Sequence, residues 1–278
     1  MRASALVAAF VLALGSSPAS AEAFRCADSS RMVLIPPGPF WMGSDEAERR
    51  LARSLASDAV REARWFDAEL PRRKVTLPAY CLDRSLVTQR DYAAFVWATG
   101  RTPPGISRAE YERQGFVVHD YDRTWTRFLW RDNRSPAGLE DHPVVVVSAF
   151  DADAYCRWRG LRLPGEAEWE KGARGIDARP FPWGERWDPD RLNSAERGPG
   201  RTTPVGRYEG GVSPYELFDA VGNVFQWTAT PLAEGRQRVV KGCAWDDEAG
   251  LCRPAFRHTR PARSRHILIG FRCAGPPG

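Results

Sequence analysis

Cys243 and Cys252 frame the part of this sequence best equipped for chemistry. The segment reads Gly242-Cys243-Ala244-Trp245-Asp246-Asp247-Glu248-Ala249-Gly250-Leu251-Cys252. Two thiols this close can join as a disulfide that clips the loop. They can also serve as a redox pair or hold soft Cu(I). Bridging is the common fate of cysteines in an oxidising compartment, so a bridge is the first expectation and a catalytic Cys243–Cys252 pair the second. Asp246, Asp247 and Glu248 read as a solvated acidic loop in preference to a paired acid–base device. His258 and His266 follow closely enough to join a cysteine at a metal, whereas His142 reads as a satisfied core or turn residue. Neither Cys-x-x-Cys nor His-Glu-x-x-His occurs, which removes the main support for zinc-ribbon, thioredoxin-like and zincin chemistry.

The other cysteines are Cys26, Cys81, Cys156 and Cys273. An even total is compatible with three bridges, and the count leaves the pairing open. An export signal agrees with this. Arg2 precedes an apolar run from Ala3 to Leu14, Gly15 to Pro18 break it, and Ala19-Ser20-Ala21 supplies small residues for cleavage. Residues 1–21 are therefore expected to be a signal peptide and 22–278 a single periplasmic or secreted domain. No later segment is apolar enough for a membrane span. The net charge of +5 is spread along the chain among acids, unlike the clustered basic face that nucleic acid requires.

With 24 Gly, 22 Pro and 11 Trp in 278 residues, turn signals recur every few positions. That excludes a helical bundle and a regular alternation of strand and helix. Helices are expected from Gln89 to Thr99 behind Thr88, from Ser148 to Arg159, from Glu166 to Arg174, and over a charged stretch from Glu46 to Arg64. Strands are expected at Met32–Ile35, Phe40–Met42, Val75–Leu77, Val144–Val147, Val239–Lys241 and Ile267–Arg272. Residues 101–141 read as a long packed loop. No linker divides the chain.

Met32-Val33-Leu34-Ile35-Pro36-Pro37-Gly38-Pro39-Phe40-Trp41-Met42-Gly43-Ser44 resembles the opening block of the sulfatase-modifying-factor family, whose founding activity is the formylglycine-generating enzyme. Similar blocks follow in family order: Val87 to Phe95, His142 to Ser148, Arg162-Leu163-Pro164-Gly165-Glu166-Ala167-Glu168-Trp169-Glu170, Pro182-Trp183-Gly184, Gly222-Asn223-Val224 and Gly270-Phe271-Arg272-Cys273. The resemblance implies an α+β fold, the irregular mixed α/β, C-type-lectin-like domain of that family, low in regular secondary structure.

Oxidising members hold copper through two cysteines in Gly-Gly-Ser-Trp/Tyr-x-Cys-x4-Cys. Set against that pattern, Ala244 replaces the serine and Asp247 stands at the first cysteine. Copper is therefore not expected, and ordinary formylglycine formation is the weakest of the family activities for this chain. The resemblance pairs Cys156 with Cys273, which leaves Cys26 and Cys81 for each other. It places a substrate groove at Ala244, Trp245, Trp227 and Arg257, and structural calcium at Asp219, Gly222, Val224 and Gln226, with Gln226 in place of a glutamate. Two functions compete. One is oxidative modification or maturation of a peptide, a peptide-like metabolite or a protein; the other is non-catalytic binding or maturation of such a partner.

Overall fold

The computed structural model describes residues 25–278 except 116 and 117. The expected signal peptide, 1–21, lies outside the described residues. The chain runs β1 (Met32–Ile35), β2 (Gly38–Met42), α1 (Glu46–Ser54), α2 (Asp58–Glu62), β3 (Arg73–Leu77), β4 (Tyr80–Asp83), α3 (Gln89–Thr99) and α4 (Arg108–Arg113). It continues with α5 (Ala149–Trp158), α6 (Glu166–Arg174), β5 (Phe225–Leu232), β6 (Gln237–Lys241), β7 (Arg257–Pro261), β8 (Ile269–Gly270) and β9 (Ala274–Gly275). Short 3-10 turns link several of these elements.

Helix ends follow local chemistry. Thr88 and Asp91 close a reciprocal capping box on α3, and Gly100 ends it at φ 66°, a left-handed conformation that glycine adopts without steric cost. Ser148 and Asp151 form the same box on α5. The charged stretch from Glu46 splits in two, because Ser57 caps a new helix through its contact with Val60 N–H.

Three small sheets result, in strand orders β1-β4-β9, β2-β3 and β7-β6-β5-β8. The last is antiparallel except where β5 runs parallel to β8. Its β6, with α6 behind it, delivers the chain directly into the Cys243 loop. Val144–Val147 is not a strand: all four valines are buried, but Val146 takes φ 60°, which breaks any ladder. Of the expected strand at Ile267–Arg272 only β8 is regular. Residues 101–141 carry α4 and a turn at Trp125–Arg127, so that stretch is partly regular. One contiguous core joins Trp125, Trp169 and Trp227, each at most 1% exposed.

Cys26 bonds Cys81, Cys156 bonds Cys273, and Cys243 bonds Cys252. Among the described residues no cysteine is free. Among the described residues no helix is long and apolar enough to cross a membrane.

Candidate functional site

The site begins where β6 ends. Gly242 turns the chain at φ 82°, and the next side chain, Cys243, bonds Cys252 across a Cα–Cα distance of 5.0 Å. Both cysteines are fully buried. Gly222 N–H points at Cys243 Sγ, 3.0 Å away. The bridge closes a short loop, which other contacts then clamp. Arg253, directly after Cys252, is fully buried; it donates to Gly250 O and pairs with Glu48 and Glu69. Glu48 also binds Arg72 and Arg174, so α1, α6 and the loop share one buried charge network. Gly250 lies on α1, where an added Cβ would meet Ala52 O at 2.5 Å.

On the β6 side, Lys241 is fully buried and reaches Glu170 at 3.0 Å. Burial alone would raise the Glu170 carboxyl, but Lys241 and Arg174 outweigh it and hold it below the usual range. These ions are paired and hydrogen-bonded, as buried charges must be.

The three acids are not a solvated loop. Asp247 Oδ2 accepts from Ala244 N–H at 2.7 Å and closes the turn. Burial, then the neighbouring Asp246, pushes its carboxyl well above the ordinary range. Glu248 accepts from the backbone and hydroxyl of Ser57, tying the loop to the cap of α2. Asp246 Oδ2 lies 2.7 Å from His119 Nε2, and the His119 ring packs on Trp245 at 4.7 Å between centroids. Each of the three acids thus has a partner inside the fold, from Ala244, His119 or Ser57, which the charge pattern alone did not reveal.

His119 was not singled out from the sequence. It stands in the long 101–141 stretch, far along the chain from its partner, and nothing in its neighbours signals the contact. Its φ is 73°, and Tyr111 OH donates to its carbonyl at 2.8 Å.

The expected groove residues divide. Ala244 and Trp245 belong to the bridged loop. Arg257 flanks it on β7, with Nε 2.8 Å from Glu166 Oε1. Trp227 is fully buried and donates to Val147 O at 3.0 Å; it belongs to the core and presents no face to solvent. His258 stacks between aromatic neighbours Trp65 and Phe256, and burial drops its pKa to about 3. His266 accepts from Leu268 N–H through Nδ1. Neither joins the cysteines. His142, bonded to Thr202 at 2.9 Å, is a buried, satisfied residue.

Neither implied metal fits the side chains as arranged. Cu(I) needs thiolates, but the Cys252 sulfur is bonded to Cys243 and Asp247 occupies the other place. Calcium needs charged oxygens free to coordinate. Gln226 Oε1 already accepts from Trp169 Nε1 and Arg272 Nε, both at 2.7 Å, and its NH2 faces Asp219 O at 2.9 Å. Asp219 accepts from Gly206 N–H and Asn223 Nδ2. The Gly222 carbonyl takes Val224 N–H at 2.8 Å, and the Arg272 guanidinium supplies the positive charge beside Asp219. Among the described residues no group of three or more His, Cys, Asp or Glu side chains could hold a metal ion.

A mixed α+β domain of small, separate sheets is the architecture of the sulfatase-modifying-factor class. The sulfatase-modifying factor enzyme 1-like domain model matches residues 18–276, and the chain belongs to that family. It is 33% identical to the inactive C-alpha-formylglycine-generating enzyme 2 of Bos taurus, over 89% of this chain and 90% of that protein. It is 31% identical to the formylglycine-generating enzyme of Thermomonospora curvata, over 88% and 93%. It is likewise 31% identical to the hercynine oxygenase of Mycolicibacterium smegmatis, where it spans 60% of the relative's length. Among solved structures, PvdO from Pseudomonas aeruginosa superposes with a TM-score of 0.63 at 24% identity, covering 88% of this chain and 94% of that one, which bears on fold alone.

Proposed function

We propose that this chain is an exported binding or maturation factor that holds a peptide, a peptide-like metabolite or a protein segment at the Cys243–Cys252 loop, without copper-dependent oxidation. The observation that carries this reading is the fate of the two sulfurs: both are buried and joined, with Asp247 beside them where a second copper thiolate would be required. The likeness to a relative named as inactive gives it further support. Export, to the periplasm or the medium, is supported by the apolar segment before residue 22 and by three disulfides, which persist in oxidising compartments.

Oxidative modification is the second reading, favoured by the likeness to a formylglycine-generating enzyme and a hercynine oxygenase. It requires the Cys243–Cys252 bond to open and the thiols to become reachable. Titration with Cu(I) under a mild thiol reductant, with oxygen uptake followed on a Cys-x-Pro-x-Arg peptide, separates the two. The binding reading expects no stoichiometric copper and no peptide-dependent oxygen use. Copper at one equivalent with turnover would replace it by the oxidase reading.

A further inference from the structure

Two polar atoms on adjacent residues of the loop have no hydrogen-bond partner among the described residues. They are Trp245 Nε1, a donor, and Asp246 Oδ1, an acceptor, and both are buried. Trp245 as a whole is 4% exposed. Buried polar groups are almost always paired, so an unpartnered donor and an unpartnered acceptor on consecutive residues of one loop call for a partner. The other oxygen of Asp246 is held by His119, and the His119 ring lies on the Trp245 indole. That imidazole therefore touches both residues. Its neighbour Asp247 is occupied in closing the turn, so it does not compete for a ligand.

The chemistry of the two atoms narrows the ligand to a neutral group that both accepts and donates. A cation would satisfy Asp246 but not the indole N–H. An anion would satisfy the indole but be repelled by Asp246. A group with a carbonyl oxygen and an N–H satisfies both. We propose that Trp245 and Asp246 form an amide-recognition subsite, uncovered when the His119 side chain swings aside, and that it takes a peptide bond or carboxamide of the bound partner. The indole donates to the carbonyl oxygen and Asp246 Oδ1 accepts from the amide N–H. Side-chain rotations of this size are common at binding surfaces. This deepens the binding reading above and rests on it.

The test is a titration of the 15N-labelled chain with N-acetylglycine N-methylamide, observing tryptophan indole N–H signals. Trp245 is assigned by the signal lost in Trp245→Phe. A saturable shift of that signal is expected, unmatched by sodium acetate or tetramethylammonium chloride. Asp246→Ala should weaken the response roughly tenfold, about the worth of one good hydrogen bond, and Asp246→Asn, which keeps an acceptor oxygen, should restore part of it. His119→Ala should tighten it several-fold, because the covered state no longer competes. Unchanged signals from the other indoles show that each variant is folded. No shift in either the wild type or His119→Ala overturns the subsite, as does an equal response to acetate or an undiminished one in Asp246→Ala. Failure of the binding reading is distinguishable, since it registers as copper uptake and oxygen use, which this titration does not involve.

Discussion

Replacing Cys243 and Cys252 together by alanine tests what the bridge contributes. The bond spans a sequence separation of 9. In the chain-entropy model, freeing a loop of that size in the unfolded state costs about 2.7 kcal/mol at 25 °C. For a domain of this length that corresponds to a midpoint lower by roughly 5–11 °C. The Cys156–Cys273 bond, with a separation of 117, scales to about 4.9 kcal/mol in the same model, so its removal should cost more. The assay is urea unfolding without reductant, comparing wild type with each double alanine variant at matched slope. The folded state should change little, because Arg253 with Glu48 and Glu69, Asp247 with Ala244, and Glu248 with Ser57 still hold the loop. A Cys243→Ala/Cys252→Ala protein as stable as wild type, or more stable, would refute the view that this bond acts as a structural clip.

Glu69→Gln leaves the fully buried Arg253 with a weakened counter-charge, and urea unfolding should show a loss of roughly 3–5 kcal/mol; a loss below 1 kcal/mol would contradict it. His258 is held neutral by burial, with its pKa lowered from 6.5 to about 3. Its contribution is therefore present above about pH 6.5 and is lost as pH falls towards 3. His258→Phe should flatten the fall in urea midpoint between pH 6.5 and 4, and an unchanged slope would speak against the burial. Gly43 sits at φ 81°, and an added Cβ would meet Leu70 O at 2.4 Å. Gly43→Ala should accordingly destabilise by more than 1 kcal/mol, readable as a lower melting midpoint, and a neutral result would contradict the close approach.

Much of the framework was legible because its signals are local. Thr88 with Asp91 and Ser148 with Asp151 announce helix starts within four residues, and Gly100 announces a stop. The bridge between Cys243 and Cys252 was the first expectation from sequence, and the framework pairs came through the family resemblance. What escaped depends on distance along the chain. The Val144–Val147 run has the composition of a strand, yet its valines are spent filling the core around a left-handed Val146. The acids after Trp245 look solvated in sequence, because their partners Ser57 and His119 come from the cap of α2 and the long central stretch. Gln226 kept an oxygen that could suggest a calcium ligand, but Trp169 and Arg272 both claim it.

On the binding reading, a closed, buried bridge stands here in place of the thiolate centre that the family resemblance implies for its oxidases. Non-reducing peptide mapping of the natively folded protein, alkylated before digestion, addresses it most directly. The expected result is one linked peptide joining Cys243 to Cys252 and no alkylated cysteine. An alkylated Cys252 in the native protein, or Cys252 bonded to any other cysteine, would contradict it.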